Sequence, residues 1–399
     1  MNSRGRVIVL GIMGLQPFAG IALQTMHYLE GLRRLGFEVA YMEDTGDWPF
    51  DPETNSPSGD CRYAIQYLSK IMSDYGFSDN WGYRSTIDDQ HFGMSLASHD
   101  EWFRSADILI NLSGATVLTE AHRRVPIRIY LETDPMKPQV EIAQGSAFVT
   151  DLMQSHTHHF TFGENIGSAD CEIPIGEFKY FPTRQPIVVD WWMPSEPERL
   201  NDVRPNSNGC VTTVANWRQS GNDIEWNGDV LKWSKHHEFL KFLDLPSYID
   251  RCFELSLSNT DDESKQRILE NGWRLKDAFA LTLGMDSYRD YIQASAAEFT
   301  VAKDQYTRMK SGWFSDRSAS YLAAGKPVVT QDTGFGKFFP TGEGLFAFNS
   351  MEGILTAFDA ILSDPKRSSR AASEIASEYF RAEKVVSAMI DQTGIEQSS

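Results

Sequence analysis

Cysteine is scarce in this chain of 399 residues, and its four cysteines form no CxxC pair and no zinc-like ligand spacing. The four, Cys61, Cys171, Cys210 and Cys252, lie far apart in the sequence. Dense disulfide frameworks belong to small secreted domains, which this chain does not resemble. We therefore expect four reduced, mostly buried thiols in a reducing compartment.

Positive charge is also in short supply. The chain has 37 Lys and Arg residues against 55 Asp and Glu residues, which gives a formal net charge of −18. Such a charge repels a phosphate backbone and an anionic membrane surface, so we expect neither nucleic acid nor membrane as a partner. A small anionic ligand is still compatible with it, because a few basic residues and a helix N-terminus can hold a phosphate locally.

The chain lacks an uninterrupted apolar run of membrane-spanning length. Its nearest approach is the uncharged stretch VIVLGIMGLQPFAGIALQTMHYL, residues 7–29. Polar residues and a proline that would be costly in lipid interrupt this stretch: Gln16, Pro17, Gln24, Thr25 and His27. A strand, a glycine loop and a helix explain the stretch better than a membrane span or signal peptide. We expect a cytoplasmic protein without integral membrane contact.

Metal-ligand patterns are missing as well. The HTHH run at residues 156–159 leads directly into an apolar strand and has no carboxylate at a matching spacing. No Asp-x-Asp pair stands where it would bridge a metal to a diphosphate. The sequence predicts no metal site and no cofactor.

What the chain does contain is two series of alternating strands and helices. Residues 6–43 read as a strand, a glycine loop, an amphipathic helix ending at Gly36 and a second strand, the start of a parallel sheet. Residues 181–209 are dense in proline and polar residues, and a second α/β series follows them. We predict an α/β protein with Rossmann-like domains at 1–200 and 201–375, and a helix at 376–399 that packs back on the first domain.

The most informative segment is GWFSDRSASYLAAGKPVVTQDTGFGKFFPTGEGLFAF, residues 312–348. It predicts a loop, a helix with a cap at Ser315 and a small-residue face, and then a buried strand and a glycine loop. A helix N-terminus that carries Ser315, Arg317 and Ser318 offers amide hydrogens, a positive dipole end and a guanidinium to a diphosphate.

This segment resembles the nucleotide-sugar-binding half of the GT-B glycosyltransferases, and in particular a bacterial group called glycosyltransferase family 1-like. Further similar segments are LQTMHYLEGLRRLGFEVAYMEDTGDWPFDP, NLSG, ETDP, FTFGENIG, PTRQPIV, EFTVAK and EIASEYF. The resemblance implies the GT-B fold, with two domains facing across a cleft and C-terminal helices that cross back. It also implies metal-independent transfer of a sugar from a nucleotide-diphosphate sugar to an acceptor bound by the first domain.

On the donor side, the resemblance and the predicted strand ends together indicate a set of ligands. Lys235 resembles the cationic residue that GT-B enzymes direct at the leaving phosphate, and Arg218 is an alternative to it. Lys303 follows a strand that should end at the cleft, with a salt bridge to Asp304 or Asp332 as the ordinary explanation. The other candidates are Asp316 and Asp332 for sugar hydroxyls, and Thr333 and Gly334 through their amides.

On the acceptor side, Gly11 and Gly14 would let the opening loop approach a ligand closely. Glu164 and Asn165 would orient the acceptor from the FGENIG loop. An inverting transfer needs a base, for which Asp134 is the first candidate and His27 the second, although a lone helical histidine more often serves packing.

The chain departs from the retaining GT-B pattern at two positions. Retaining members carry two glutamates eight positions apart, and here those positions are Gly312 and Ser320. Inversion and retention therefore both stay open. Two alternatives also stay open: a nucleotide-sugar epimerase, and a module that binds a sugar nucleotide or a partner protein without turnover.

Overall fold

The computed structural model describes residues 4–193 and 209–395, in which two large β-sheets are each flanked by helices. The strands of the first lobe are β1 (Arg6–Leu10), β2 (Glu38–Thr45), β3 (Phe50–Asp51), β4 (Ser56–Pro57), β5 (Trp81–Ser85), β6 (His91–Gly93), β7 (Ile108–Leu112), β8 (Ile127–Glu132), β9 (His158–Thr161) and β10 (Tyr180–Pro182). Its helices are α1 (Ala19–Arg34), α2 (Arg62–Asp74), α3 (Leu96–Ser105), α4 (Glu120–Arg123), α5 (Lys137–Ala143) and α6 (Ala147–Gln154).

The second lobe has the strands β11 (Val211–Asn216), β12 (Ile224–Trp226), β13 (Asp229–Leu231), β14 (Phe253–Ser258), β15 (Arg274–Asp277), β16 (Ala297–Thr300), β17 (Val328–Gln331) and β18 (Leu345–Phe348). Its helices are α7 (His236–Phe239), α8 (Asp262–Glu270), α9 (Ala278–Thr282), α10 (Met285–Ala294), α11 (Asp304–Arg308), α12 (Asp316–Ala323), α13 (Met351–Ser363) and α14 (Pro365–Ile375). A π-helix at Ala376–Phe380 leads into the last helix, α15 (Ala382–Asp391).

Both large sheets have the strand order of doubly wound α/β folds. The first sheet runs β10-β9-β8-β7-β1-β2-β5-β6, and β6 is its antiparallel strand; the second runs β15-β14-β11-β16-β17-β18, with parallel pairing throughout. In β1, Val7 and Val9 pack into one apolar cluster and Ile8 and Leu10 into another. Burial on both faces is what helices on each side of a parallel sheet require. The predicted pair of Rossmann-like domains is confirmed.

The end of the chain returns to the first lobe. Helix α15 packs against α1, where Gly31 leaves room for Ala382 and Val386. The Ile187 amide donates to the carbonyl of Phe380, and the Ala382 amide donates to the carbonyl of Ile187. The predicted domain boundary at residues 200 and 201 lies outside the described residues, and the two sheets lie on either side of it. Within the described ranges, no helix combines the length and apolar character that a membrane span needs.

The prediction of four reduced thiols is wrong for one pair. Cys210 and Cys252 form a disulfide bond, whereas Cys61 is a buried free thiol and Cys171 a partly buried one. The two bonded cysteines directly precede β11 and β14, which pair in parallel with Val211 opposite Phe253. That register brings their Cα atoms to 4.6 Å, within the range that a disulfide needs. A separation of 42 residues conceals this proximity in the sequence.

Candidate active site

A cavity of about 360 Å³ lies between the two lobes. The start of α1 and the carboxyl ends of β7 and β8 supply most of its wall, and Trp313 and Asp316 border it from the second lobe. In the first sheet β1 lies between β2 and β7, so the order of the strands reverses there. Open α/β sheets bind ligands outside the carboxyl ends of strands at such a reversal. The cavity therefore occupies the position where this fold can hold a small molecule.

Asp134 and Lys303, one candidate from each lobe, form an ion pair across the cleft. The Lys303 ammonium lies 2.8 Å from Oδ1 of Asp134, and the Tyr306 hydroxyl donates to the same oxygen. Lys303 is 8 % exposed and Asp134 is 48 % exposed, because the carboxylate borders the cavity. Asp304 and Asp332, the partners that the sequence suggested for Lys303, do not pair with it. The structure thus brings together two residues that lie 169 positions apart.

The electrostatics of this pair follow from its position. Burial acts to raise the pKa of Asp134, but the charge of Lys303 and the hydrogen bonds from Lys303 and Tyr306 hold that pKa below its ordinary value. Burial lowers the pKa of Lys303, and Asp134 opposes that shift. Asp134 is therefore an ionised carboxylate held by two donors, and it becomes a better proton acceptor if Lys303 moves to another anion.

Lys235 is a second buried cation close to this pair. It is 8 % exposed, and its ammonium lies 5.7 Å from the ring centre of Trp313 at the cavity edge. Burial lowers the pKa of Lys235 well below its ordinary value, and the charges of Arg317 and Lys303 add to that effect. Among residues 4–193 and 209–395, no carboxylate forms an ion pair with it. A buried ammonium in this situation gains stability from an anionic ligand.

Aromatic residues that the sequence analysis did not single out complete this part of the site. The Trp313 indole N–H donates to the carbonyl of Thr133 at 2.9 Å, across the cleft. The Tyr306 ring lies 4.7 Å from the Trp313 ring, and the Lys303 ammonium lies 3.0 Å from the ring centre of Trp233. Cation–π contacts of this kind hold a lysine in place without neutralising it. Trp313 could have been found from the sequence, because it stands inside the informative 312–348 segment.

Arg317 forms an ion pair inside the second lobe. Its Nε lies 2.6 Å from Oε1 of Glu298, and its Nη2 donates to the Thr300 hydroxyl at 2.9 Å. Glu298 and Thr300 are alternate residues of β16, so the guanidinium lies along one face of the sheet. Glu298 is fully buried and Arg317 is 11 % exposed. In this structure the guanidinium is therefore a partner of Glu298, and its role as a diphosphate ligand stays a prediction.

The start of α12 divides into cavity-facing and buried residues. Asp316 borders the cavity, and burial raises its pKa although the charge and amide of Arg317 oppose this. Ser315 precedes the helix, and its carbonyl accepts a hydrogen bond from the Gln185 amide. Ser318 is completely buried in this structure. The roles of Ser315, Arg317 and Ser318 in holding a diphosphate stay predictions.

The remaining donor-side candidates lie away from the cavity. Arg218 forms an ion pair of 2.6 Å with Asp261, and its side chain is 53 % exposed. Oδ1 of Asp332 accepts the amide of Gly334, and the Thr333 hydroxyl donates to the carbonyl of Trp313. These contacts engage the Arg218 guanidinium, the Asp332 carboxylate, the Gly334 amide and the Thr333 hydroxyl within the protein. The donor-binding roles of these four residues stay predictions.

Glu164 and Asn165 are also engaged within the protein. Glu164 is buried beside Arg184; burial raises its pKa to about 7, and the guanidinium opposes the shift. The Asn165 backbone amide donates to the carbonyl of Ser311, and its side-chain amide donates to the carbonyl of Lys310. Neither residue borders this cavity, and their role in orienting an acceptor stays a prediction. Asn165 instead joins the two lobes.

Gly11 and Gly14 are explained by packing. A Cβ atom at Gly11 would lie 2.9 Å from the Tyr41 ring, and one at Gly14 would lie 2.8 Å from Leu68. The Gly14 amide donates to the buried carboxyl of Glu43 at 2.8 Å. In this structure the protein's own side chains pack against both glycines, and their role in admitting an acceptor stays a prediction.

His27, the second candidate base, is buried between α1 and the segment that contains Val188 and Trp191. Its ring lies 5.2 Å from the Trp191 ring, and the Val188 amide donates to its Nδ1 at 3.1 Å. Burial lowers its pKa to about 3. A neutral histidine that accepts a backbone hydrogen bond in such an interface serves packing here, and its role as a base stays a prediction.

The two glutamate positions of retaining GT-B enzymes are closed in this protein. A Cβ atom at Gly312 would lie 2.6 Å from the Asn165 amide nitrogen, and Gly312 has a φ of +77°. Ser320 is buried, and its hydroxyl donates to the carbonyl of Asp316. A glutamate at Gly312 would push the lobes apart at the contact with Asn165.

Metal-ligand geometry is absent from the part of the chain that the structure describes, where no three His, Cys, Asp or Glu side chains converge as an ion would require. The HTHH run forms the start of β9 and its flank, and its rings pack among aromatic residues. Metal independence stays a prediction.

Comparison with known proteins supports the fold. No family model matches the chain, and no curated protein matches it. Among solved structures it is similar to an alpha-glucosyltransferase in complex with UDP and a 13-mer DNA that contains an HMU base, with a TM-score of 0.58, 10 % identity and coverage of 99 % of this chain and 100 % of that one. It is also similar to Anabaena Alr3699/HepE in complex with UDP and glucose, with a TM-score of 0.57, 13 % identity and coverage of 98 % and 100 %.

A third similar structure is sucrose-phosphate synthase from Thermosynechococcus elongatus, with a TM-score of 0.53, 10 % identity and coverage of 98 % of both chains. These likenesses extend over almost the whole of each chain, so they include both lobes and the crossing helices. At such low identity they establish the fold and leave the activity to be argued from the site. The chain has the GT-B glycosyltransferase fold.

Proposed function

We propose that this protein is a metal-independent glycosyltransferase, which moves a sugar from a nucleotide-diphosphate sugar to an acceptor held by the first lobe. The observation that carries the proposal is a pair of buried lysines that contact residues of the cavity wall: Lys303 pairs with Asp134, and Lys235 lies near Trp313. Two ammonium groups near a helix N-terminus match a diphosphate leaving group, and the carboxylate opposite them matches the proton of an acceptor hydroxyl. The structural neighbours that are in complex with UDP or UDP-glucose agree with a nucleotide donor.

The lysines and Asp134 have complementary parts in the reaction. The diphosphate binds Lys235 and draws Lys303 away from Asp134, since a doubly charged group attracts the ammonium more strongly than one half-exposed carboxylate. Asp134 then accepts the proton of the acceptor hydroxyl as its oxygen bonds to the anomeric carbon. The bond from that carbon to the phosphate oxygen breaks, and the nucleoside diphosphate leaves with its charge balanced by the lysines.

In the proposed reaction, closure of the cleft over the bound donor excludes water. Two hydrogen bonds already join the lobes, one from Trp313 to Thr133 and one from Asn165 to Lys310. Exclusion of water strengthens the attraction between the lysines and the diphosphate and prevents hydrolysis of the donor. Arg317, paired with Glu298, keeps the start of α12 fixed and raises the positive potential around Lys235.

We propose that the acceptor is not nucleic acid. One group of structural neighbours is in complex with DNA, but the charge of −18 on this chain opposes a polyanion. Gel-shift and anisotropy measurements with single- and double-stranded DNA at low salt, where such binding is strongest, test this. Binding in the micromolar range that weakens steeply with salt would contradict the proposal.

Nucleotide binding tests the proposed function directly. Calorimetry with UDP, GDP and dTDP and their sugars should show one nucleotide that binds, and slow hydrolysis of its sugar should follow. Lys235→Met should weaken that binding roughly 10- to 100-fold, because hydrogen bonds to charged groups contribute about 1.5–3 kcal/mol. Lys70→Met is the matched control, since Lys70 is 72 % exposed on α2 and pairs with Asp74.

Two results would contradict the proposal. The absence of binding by all three nucleotide families in a folded protein would exclude a nucleotide donor. Tight nucleotide-sugar binding without transfer to any acceptor and without hydrolysis would indicate a binding module. Conversion of the donor sugar to its epimer in the absence of an acceptor would indicate an epimerase.

A further inference from the structure

The acceptor side of the cavity belongs almost entirely to the first lobe. Gln24 and Thr25 come from α1, Ser113 follows β7, and Glu132, Thr133 and Asp134 belong to β8 or follow it. From the second lobe, Trp313 and Asp316 border the same space. A donor held by Lys235 and Lys303 would reach this space with its sugar, and the acceptor would meet it from the first lobe. The inference below rests on the function proposed above.

The charges of the cavity exclude a strongly anionic acceptor. Among the described residues that border it, none is Lys, Arg or His, and three are carboxylic acids: Glu132, Asp134 and Asp316. The ammonium of Lys303 is already matched by Asp134 and, with donor bound, by the diphosphate. A phosphate or carboxylate on the acceptor would therefore face like charges without a cation of its own.

The same wall does not favour a cation. Asp134 is paired with Lys303 before the donor binds. Once the diphosphate has drawn Lys303 away, the free Asp134 carboxylate is the proposed base, and an ammonium group on the acceptor beside it would lower its pKa and weaken it as a base. Burial raises the pKa of Glu132 to about 8, against hydrogen bonds from Thr161 and Gln139 that lower it. Burial also raises the pKa of Asp316. Near neutral pH the Glu132 carboxyl is thus largely protonated, and a protonated carboxyl exchanges hydrogen bonds with hydroxyl groups better than it attracts an ammonium group.

The remaining groups match a polyhydroxylated molecule. The Ser113 and Thr133 hydroxyls lie 2.9 Å apart at the ends of β7 and β8, and Gln24 adds an amide that can donate and accept. Phe162 and Trp313 provide apolar faces on the same cavity. A volume of about 360 Å³ is at the small end of the range of roughly 300–1,000 Å³ for small-molecule sites.

We infer that the acceptor group which enters the cavity is a single, uncharged polyhydroxyl ring, a sugar or a cyclitol without phosphate or carboxylate, and that Gln24, Ser113 and Thr133 bind its hydroxyl groups. A longer acceptor can place only its terminal ring there.

The test compares matched acceptors with the donor that calorimetry identifies. Glucose, methyl glucoside and myo-inositol represent the free sugar, the terminal glycoside and the cyclitol, and glucose 6-phosphate, glucuronate and glucosamine are their charged counterparts. Products are measured by mass spectrometry, and kcat/KM is determined for each acceptor at pH 7. At least one neutral compound should exceed each charged counterpart at least ~10-fold, since unpaired buried charges are strongly disfavoured.

Two variants connect this preference to the named residues. Ser113→Ala should raise the KM for the neutral acceptor roughly 2- to 12-fold through the loss of one hydrogen bond, while the Kd of the nucleotide stays unchanged. Gln24→Lys should raise kcat/KM for the phosphorylated acceptor at least ~5-fold, because it gives the cavity wall a cation.

The outcomes separate this inference from the proposed function. Donor binding with a preference for glucose 6-phosphate, glucuronate or glucosamine overturns the inference and leaves the glycosyltransferase standing. Donor binding without transfer to any of the six compounds also overturns it. If no nucleotide binds, the proposed function fails, and the inference fails with it.

Discussion

Replacement of Asp134 by asparagine should tighten nucleotide binding and stop turnover. Asp134→Asn keeps the shape of the side chain and an oxygen for the Tyr306 hydroxyl, but it removes the charge that holds Lys303. In the wild-type protein the diphosphate must compete with Asp134 for the Lys303 ammonium. In the variant that competition is absent, so the same lysine is available to the nucleotide from the start.

The structure sets the size of the effect. Ion pairs between exposed groups contribute about 0–1 kcal/mol, and removal of one partner from a buried pair costs about 3–5 kcal/mol. Lys303 is 8 % exposed but Asp134 is 48 % exposed, so the pair falls between these limits. We expect about 1–2 kcal/mol, a gain of roughly 5- to 30-fold in nucleotide affinity. Loss of the proton acceptor should lower kcat by about 10²- to 10⁴-fold.

Calorimetry with the nucleoside diphosphate and a steady-state transfer assay measure the two effects on the same preparation. Lys303→Met should weaken nucleotide binding, and Asp134→Asn combined with Lys303→Met should show no gain over Lys303→Met alone. Unchanged or weaker nucleotide binding by folded Asp134→Asn would refute the competition between carboxylate and diphosphate. Wild-type turnover by the same variant would refute the assignment of the base.

Three further predictions concern stability. Arg317→Met should lower the free energy of unfolding by about 3–5 kcal/mol, because it leaves the buried Glu298 carboxylate without its partner. Urea unfolding measures this, and the addition of Glu298→Met to the same chain should restore much of the loss. Cys210→Ser should cost about 2–4 kcal/mol, and a reducing agent should lower the Tm of the wild-type protein but not that of the variant. Burial is the main reason that the pKa of Glu132 is raised to about 8 in the folded protein, against 4.5 in the unfolded chain. Between these two values the folded state keeps a proton that the unfolded state has released, so the free energy of unfolding decreases as pH rises from about 4.5 to 8. The Tm should therefore fall between about pH 5 and 8, and Glu132→Gln should flatten this dependence; an equally steep profile in the variant would contradict it.

Local patterns in the sequence were sufficient for the elements and for the type of sheet. The apolar run of residues 6–12, the glycine loop and the helical spacing up to Gly36 predicted β1, α1 and β2, because burial on two faces and helical periodicity are properties of neighbouring residues. The uncharged stretch 7–29 was predicted to form a strand, a loop and a helix, and it contains most of β1 and the first part of α1. The prolines and polar residues at 181–209 indicated the junction between two sheets.

The candidate site was predicted in part. Strand ends placed Asp134 and Lys303 at the cleft, since carboxyl ends of parallel strands share one edge of a sheet. The sequence did not show that these two residues pair, because their contact depends on how the lobes face each other. Gly11 and Gly14 indicated that something packs closely against the backbone of the opening loop. A glycine in the sequence does not tell whether that neighbour is a ligand or a side chain of the protein, such as Tyr41 or Leu68.

By itself, the sequence determined two doubly wound α/β lobes, the order of their elements and the residues that stand at strand ends and helix starts. Only the tertiary structure decided which of those residues face the cavity. In the folded protein Arg317 pairs with Glu298, and Cys210 forms a disulfide bond with Cys252. Lys235 has no carboxylate partner among the described residues. The physical reason is that periodicity records which face of an element is buried, whereas charge pairing depends on distances between elements that are far apart in the chain.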